Sequence, residues 1–194
     1  MARRDDLGAD AFLTEALAID PGAADVLAAL AAALPPATPS RATRDRLFET
    51  LGPGPLTRFA GAVARLADLA ESRARELLAE LAAAVWEPGP AGTELLWVEG
   101  GPATAGCIRG FVRLPAGATF PEHTHLGEER LLVLEGAVTD GGGGALRPGE
   151  VATAAPGSTH PTIAVGGEPA LYFVVIRGGV DLADGTPVRP RDTP

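Results

Sequence analysis

The sequence predicts an α+β protein in which a helical N-terminal half precedes an all-β C-terminal half. Residues 1–85 are rich in Ala, Leu and Arg and repeat their apolar residues at helical spacing. Residues 86–194 are rich in Gly, Val, Pro and Thr and carry short alternating or fully apolar runs, as strands do. The change falls in Trp86–Gly92, a segment dense in Pro and Gly. We therefore expect two domains, 1–85 and 86–194.

Three predicted helices occupy the start of the chain. The first covers Ala9–Ala18. The second begins at Asp20, whose side chain can cap the helix, with Pro21 at the first helical position, and it ends at Pro35. The third follows Ser40. Each has one apolar stripe opposite a charged face, which predicts an N-terminal helical bundle or a dimer surface.

Two further helices complete the helical half. The fourth carries Phe59, Val63 and Leu66, and Ser72 is the predicted cap of the fifth. The segment Leu66–Leu81 superficially resembles a helix-turn-helix DNA reader. However, residues 1–85 hold nine Arg against twelve acidic residues, a balance that disfavours DNA binding. A packed helical hairpin is therefore the preferred interpretation.

The C-terminal half contains runs that predict strands. The most apolar run, Leu171–Ile176, is typical of a strand buried on both faces. Asp140–Gly144 predicts a flexible hairpin tip between two of these strands. The predicted strands are Glu94–Val98, Gly106–Leu114, Arg130–Leu134, Ala137–Thr139, Glu150–Ala154, Thr162–Ala164 and Leu171–Ile176.

Composition narrows the function classes. A net charge of −9 argues against a general nucleic-acid or anionic-membrane surface. All sixteen basic residues are Arg, and Lys, Asn and Gln are absent, which excludes lysine Schiff bases and side-chain amide oxyanion donors.

Cys107 is the single cysteine, so no intramolecular disulfide can form. No apolar run reaches a membrane-spanning length, and acidic residues follow Arg3-Arg4 where a leader would be apolar. We expect a cytoplasmic protein.

All three histidines lie within Gly117–His160. His123 and His125 are two residues apart, so on an extended strand they share one face. Glu129 follows four residues later, and His160 comes from a separate strand. Three imidazoles and a carboxylate suit one divalent metal ion, with Zn, Fe, Ni or Mn not distinguished. The alternative is that these histidines are hydrogen-bonded core residues that bind no metal.

Residues 117–136 match Gly-x5-His-x-His-x3-Glu-x6-Gly at every position, which is the first motif of the cupin superfamily. Gly149, Gly157 and His160 fit the second cupin motif, Gly-x5-Pro-x-Gly-x2-His-x3-Asn. The departures are Pro156, which comes one place late, and Ala164, where the motif has Asn. The resemblance implies a C-terminal cupin β-barrel of jelly-roll type that holds one metal ion. By analogy with the family, it also implies a homodimer formed through sheet edges.

The order of helices followed by a cupin resembles ChrR-type anti-sigma factors. The phrases Leu114–His123 and Glu128–Gly136 carry this resemblance, which extends from Trp86 to Val180. It implies an N-terminal helical domain that holds a sigma factor and a cupin that senses stress. The family's helical domain carries a zinc site of His and a Cys-x-x-Cys pair. Residues 1–85 contain neither His nor Cys, so no such zinc site is expected there.

Three functions remain open at this point. The first is a ChrR-like regulatory or sensory cupin whose helices bind a protein partner or a second copy, and whose metal binds a small-molecule ligand. The second is a mononuclear metalloenzyme, such as a dioxygenase or isomerase. The third is a cupin with vestigial ligands that serves oligomerisation. We favour the first. Side chains that could position a substrate are Arg109, Arg113, Arg130 and Tyr172, while Glu122 and Glu128 are expected at the solvated rim.

Overall fold

A computed structural model describes residues 54–191 of the chain. Most of the described residues lie in strands or in the turns that join them. The strands in chain order are β1 (Glu87–Pro88), β2 (Glu94–Trp97), β3 (Cys107–Leu114), β4 (Thr119–His125), β5 (Glu129–Glu135), β6 (Val138–Thr139), β7 (Val151–Ala154), β8 (Thr159–Ala164), β9 (Ala170–Arg177), β10 (Val180–Leu182) and β11 (Pro187–Val188).

The strands form a sandwich of two antiparallel sheets. The six-stranded sheet has the order β1-β2-β3-β9-β5-β7, and the five-stranded sheet has the order β11-β10-β4-β8-β6. Neighbouring strands in each sheet are mostly distant in sequence, as in β3 beside β9 and β4 beside β8. This two-sheet arrangement agrees with the predicted jelly roll.

Side-chain alternation along the central strands creates two cores. Tyr172, Val174 and Ile176 of β9 point between the sheets. Leu171, Phe173 and Val175 of the same strand point to the outer face of the six-stranded sheet. Every residue of β9 before Arg177 is buried, which confirms the prediction that this run is covered on both sides. We call the core between the sheets the inner core and the other the outer core.

Two helices cover the outer core. A 3₁₀ turn (Pro55–Phe59) leads into α1 (Ala60–Ala67), and α2 (Glu71–Glu80) follows. Their buried side chains join the sheet in one cluster, in which Phe111 and Phe173 lie with ring centroids 4.8 Å apart. The apolar stripes read from the sequence therefore pack against a sheet. The helical side chains in this cluster are Phe59, Ala60, Val63, Ala64, Ala67, Ala74 and Leu78.

Hydrogen bonds fix the end of α1 to the sheet. Asp68 ends the helix in the left-handed conformation, with φ of 57°. Its Oδ2 accepts a hydrogen bond from the Ala103 N–H at 2.8 Å, and the Gly101 N–H donates to the Ala67 carbonyl at 2.9 Å. The loop between β2 and β3 is therefore anchored to the helix terminus.

The fourth and fifth predicted helices correspond to α1 and α2, but the predicted cap is wrong. Ala70 occupies the N-cap position of α2, and Ser72 lies inside its first turn. The exposed face of α2 carries ion pairs between Arg75 and Glu71 and between Arg73 and Glu76. The first three predicted helices lie outside the described residues. The N-terminal bundle and the domain division at 85/86 therefore remain predictions.

All seven predicted strands are present, whereas four strands were not among them. The omitted strands are β1, β4, β10 and β11. β1, β10 and β11 have only two or three residues each, too short for an alternation pattern. β4 contains Pro121 and a bulge between Phe120 and His123, which interrupt the pattern.

Gly136 is the last glycine of the first cupin motif, and its backbone conformation explains why glycine stands there. It follows β5 directly and has φ of 66°, a region that favours glycine. A Cβ atom at this position would also collide with the carbonyl oxygen of Pro169. The close approach of the two chain segments therefore requires glycine here.

Among the described residues, no helix is both long and apolar enough to cross a membrane.

We expect Phe173→Ala to destabilise the fold strongly. Phe173 is fully buried in the outer core against Phe111, and truncation of a buried Phe costs about 3–5 kcal/mol. Val151→Ala is the matched control, because Val151 is 49% exposed on the edge strand β7. Chemical denaturation monitored by circular dichroism measures both. Equal losses of unfolding free energy would contradict the assignment of the outer core.

Candidate metal centre

The pairing of β4 with β8 brings the histidines together. His123 and His160 are directly opposite each other across this antiparallel pair. His125 lies two residues beyond His123 on β4, so both side chains point between the sheets. Glu129 begins β5 in the facing sheet, after the bend at Leu126-Gly127. Both sheets therefore contribute to one cluster.

The four predicted ligands converge. One donor atom from each of His123, His125, Glu129 and His160 lies within 4.8 Å of the other three. The Nε2 atoms of His125 and His160 are 2.9 Å apart, and Glu129 Oε2 lies 3.5 Å and 3.6 Å from them. His123, His125 and Glu129 are buried, and His160 is partly exposed. The cluster is a potential metal site of the kind the motif predicts.

Two backbone carbonyls orient the imidazoles. His123 Nδ1 lies 2.8 Å from the Pro121 oxygen, and His160 Nδ1 lies 2.9 Å from the Pro161 oxygen. A carbonyl can only accept, so each Nδ1 donates its proton and each Nε2 is left as a donor for a metal ion. His125 Nδ1 is buried and has no hydrogen-bond partner among residues 54–191.

The donor set fits a divalent metal ion. Ligand atoms about 2.1 Å from a central ion lie at most about 4.2 Å apart. The largest separation in the cluster, 4.8 Å, exceeds this by a few tenths of an ångström. A small inward movement of the side chains would therefore complete the coordination. Nitrogen and oxygen donors together admit Zn, Fe, Ni or Mn, and nothing in the geometry selects one of them.

The environment separates the pKa values of the three imidazoles. Burial lowers the pKa of His123 and of His125, because desolvation disfavours the charged ring. The pKa of His160 is raised, chiefly through its interaction with the Glu129 carboxylate. The 3.6 Å between His160 Nε2 and Glu129 Oε2 is longer than an ordinary hydrogen bond. We therefore attribute the raised pKa mainly to the attraction between the carboxylate and the protonated ring.

Two spaces of different character border the cluster. An open cleft of about 490 Å³ reaches Glu129 and His160 between the edge strands β6 and β7. A smaller cavity of about 60 Å³ reaches His123 and Glu129 from between the sheets. Glu129 and Thr162 line both spaces, so the ligand cluster lies where the cleft and the cavity meet.

Three of the side chains predicted to position a substrate lie elsewhere. Arg109 lies on the outer-core side of β3, where its guanidinium donates to the Thr104 carbonyl at 2.8 Å. Arg113 stacks over the Trp86 ring at 3.8 Å. Arg130 is exposed and pairs with Glu128 at 2.8 Å. The interpretation of these arginines as substrate-binding groups is therefore wrong.

Tyr172 is the exception among those candidates. It belongs to β9, points into the inner core and lines the small cavity together with His123 and Glu129. Burial raises the pKa of its hydroxyl far above the ordinary value, so the phenol stays protonated. Glu122 and Glu128 are exposed, in agreement with their predicted place at the rim.

The sequence interpretation missed the residues that shape the cleft. Thr139, Asp140 and Ser158 line it, and Thr162 is a buried hydroxyl beside the ligands. The predicted turn at Asp140–Gly144 is present: Asp140 Oδ1 accepts hydrogen bonds from the Gly142 and Gly143 N–H groups. In the sequence this turn lies between the two cupin motifs that contain the candidate ligands. That position could have predicted that the turn borders the site.

Comparisons with known proteins agree with this fold and site. The model of the ChrR Cupin-like domain family matches residues 74–178, more than half of the chain. The chain belongs to this family. The match begins within α2, and it includes all four candidate ligands.

Solved structures share the fold at low sequence identity. The complex of Rhodobacter sphaeroides SigE with the anti-sigma ChrR is 20% identical, covers 84% of this chain and 82% of that chain, and has a TM-score of 0.50. An acetylacetone dioxygenase from Acinetobacter johnsonii is 17% identical, covers 54% of this chain and 78% of that chain, and has a TM-score of 0.46. Among curated proteins, none matches the chain.

Metal affinity should depend on pH through His160. Because the pKa of this ring is raised above its ordinary value of about 6.5, a metal ion must displace a proton from it at any pH below that raised pKa. We expect the zinc association constant to fall by up to about tenfold per pH unit below that pKa. Competition with a chelator between pH 8 and pH 6 measures this fall.

The lowered pKa values of His123 and His125 can be compared with the raised pKa of His160 in the same experiment. Because the pKa values of these two rings lie below 6.5 and that of His160 lies above it, most of the protons released on binding near pH 6.5 should come from His160. Calorimetry in buffers of different ionisation enthalpy counts the released protons. Zinc binding without proton release near pH 6.5 would contradict the raised pKa of His160.

Proposed function

We propose that the chain is a ChrR-like regulatory or sensory cupin protein that holds one divalent metal ion. His123, His125, Glu129 and His160 would be the ligands. The N-terminal helices would bind a protein partner, in the manner of an anti-sigma factor that regulates transcription. The bound ion would supply a Lewis-acidic centre at which a small molecule from the cleft could bind.

The observation that carries the proposal is the buried convergence of three imidazoles with a carboxylate. Inside an apolar sandwich, a carboxylate without a compensating charge is costly, and Glu129 is only 5% exposed. Within residues 54–191, the ion-pair partners of Glu129 are His125 and His160, and no arginine is among them. Without a metal ion, a protonated His160 at 3.6 Å compensates part of this charge, and its pKa is raised accordingly. A divalent cation would compensate the charge with all three imidazoles neutral.

The surroundings of the site favour sensing over turnover. General acid–base catalysis needs a titratable side chain beside the reacting atoms. Apart from the ligands, the titratable side chains that border the two spaces are Tyr172 and Asp140. Asp140 already accepts two backbone hydrogen bonds, and Tyr172 is held protonated by burial. Neither group is suited to act as a general base near neutral pH.

The proposal that the N-terminal helices bind a protein partner rests on family membership and on the order of helices and cupin domain along the chain. The ChrR named in the Rhodobacter structure binds a sigma factor, and that structure covers 84% of this chain, more than the residues matched by the family model. In this chain, α1 and α2 use one face to cover the sheet and present charged residues on the other. Residues 1–85 lack the ligands for a zinc site, so partner binding here would not use zinc in that half. A homodimer through sheet edges remains a prediction.

A second candidate is a mononuclear metalloenzyme such as a dioxygenase or isomerase. The open cleft of about 490 Å³ favours it, because a small substrate could reach Glu129 and His160 directly. Hydroxyl groups of Thr139, Ser158 and Thr159 would offer hydrogen bonds to such a substrate.

Metal content tests the ligand assignment. We expect the purified protein to carry about one divalent ion per chain, and Glu129→Gln to lower zinc affinity at least tenfold by removing the anionic ligand. Glu128→Gln is the matched control, since Glu128 is the adjacent exposed carboxylate and pairs with Arg130. Inductively coupled plasma mass spectrometry measures the content, and circular dichroism checks that both variants fold.

His160→Ala should also abolish stoichiometric metal on a fold that survives, because His160 is partly exposed. Full metal content in both the Glu129→Gln and the His160→Ala variants would contradict the site. Equal loss in Glu128→Gln would show that the effect is not specific to the cluster.

Two parallel assays separate regulation from catalysis. The 194-residue chain, with and without metal, is mixed with purified sigma factors of its source organism, and complexes are measured by light scattering. We expect a one-to-one complex whose affinity changes with metal loading. The enzymatic alternative predicts steady oxygen consumption or isomerisation when the trial substrates are small molecules that bind a metal ion through two oxygen atoms. Sustained turnover without any sigma-factor complex would reverse the assignment.

A further inference from the structure

We propose that the open space beside Arg109 binds a small oxyanion, that is, a molecule with a carboxylate or phosphate group. The space measures about 440 Å³ and lies between the loop that joins β2 to β3 and the segment that follows β11. It shares no lining residue with the cleft or with the cavity at the candidate metal centre. The inference is therefore independent of the proposed function.

Arg109 is a buried cation whose hydrogen-bond partners within residues 54–191 are all neutral. The residue is 9% exposed. Its Nη1 donates to the carbonyl oxygen of Thr104 at 2.8 Å and to the hydroxyl of the same residue at 3.2 Å. None of the arginine ion pairs in this part of the chain involves it. Because a buried charge is costly unless an opposite charge compensates it, an anion beside Arg109 would stabilise the folded chain.

The guanidinium also has donors that no group within residues 54–191 uses. A guanidinium carries five N–H donors, and Arg109 uses only those of Nη1 there. Nε is buried without a partner, and Nη2 donates to no group in this part of the chain. Since the side chain lines the open space, the N–H groups of Nη2 are available to a ligand there. Guanidinium groups bind carboxylates and phosphates through such planar sets of donors.

The loop beside Arg109 adds backbone donors and is fitted closely to the side chain. Gly100 and Gly106 line the space, and residues 54–191 offer their N–H groups no acceptor. A Cβ atom on Gly100 would lie 2.6 Å from Arg109 Cδ and 2.5 Å from Thr104 Oγ1, so this approach requires glycine. Hydrogen bonds to the end of α1 hold the loop. The donors are therefore positioned before an anion binds, which lowers the cost of binding.

Two further charged residues line the space. Arg191 stacks over the Trp97 ring at 4.2 Å and pairs with Glu87, so its charge is already compensated. Glu99 is exposed and forms no ion pair within residues 54–191. Its carboxylate would repel an anion bound to Arg109. Glu99 is therefore the residue whose neutralisation should strengthen binding.

Inorganic phosphate and acetate are the probes, because they present the two oxyanion groups in their simplest form. Each is titrated into the 194-residue chain while sodium chloride keeps the ionic strength constant, and NMR follows the backbone amides. We expect saturable shifts of the Gly100 and Gly106 amide signals. The probe that binds more tightly identifies the oxyanion group that the site prefers. Shifts confined to amides near His123 and His160 would place the anion at the metal centre and contradict the inference.

Three substitutions test the location. Arg109→Met should weaken phosphate binding at least tenfold, because hydrogen bonds to charged groups are among the strongest in proteins. Arg130→Met is the matched control, since it removes the same charge from an exposed arginine that pairs with Glu128, and it should leave the affinity unchanged. Glu99→Gln should strengthen binding roughly two- to fivefold through the lost repulsion. Because Glu99 is exposed, this variant keeps the test valid if Arg109→Met misfolds.

Three further results would overturn the assignment of this site. These are no saturable amide shift in either the parent chain or Glu99→Gln, equal phosphate affinity in the parent chain and a folded Arg109→Met, and weaker binding in Glu99→Gln. The last result would make Glu99 part of the site instead of a competing charge. None of these measurements depends on metal content, so their failure leaves the proposed metal function untouched, and absence of metal leaves the anion site untouched.

Discussion

The enclosure of one carboxylate and three imidazoles between two apolar sheets is the constraint on which the rest of the structure depends. Four polar side chains inside such a sandwich must compensate one another or bind an ion. Glu129 comes from one sheet and the histidines come from the other. The site therefore exists only while the two sheets face each other, so its chemistry depends on the fold.

Strand alternation connects this site to the helices. In β9, one set of side chains faces the ligands and the alternate set faces α1 and α2. The strand of Glu129 behaves in the same way, with Leu131 and Val133 inside and Leu132 and Leu134 outside. The helices thus pack against the reverse side of the strands that carry the site. A single layer of strand backbone therefore separates the helices from the inner core that contains Glu129.

The convergence of the four candidate ligands and the two-sheet fold could be predicted from sequence because residue spacing encodes them. The two-residue interval between His123 and His125 fixes their shared face, and the long apolar run of β9 fixes its burial. The directions of Arg109 and Arg113 could not be predicted, since they depend on which face of β3 meets the helices. Ser72 failed as a cap because the turn after Asp68 started α2 earlier than the side-chain signal indicated. The cleft depends on how two distant edge strands are placed, which no local pattern records.

The unpartnered Nδ1 of His125 has a consequence for how an ion would be loaded. When His160 is neutral, its Nδ1–H donates a hydrogen bond to the Pro161 carbonyl oxygen, so its Nε2 can only accept. The 2.9 Å contact then requires that His125 carry its hydrogen on Nε2. Coordination through that same atom forces the hydrogen onto Nδ1, for which residues 54–191 offer no acceptor. Such a group costs about 1–3 kcal/mol. Coordination of an ion would therefore leave His125 with an unsatisfied N–H group, whereas His123 and His160 keep their carbonyl partners.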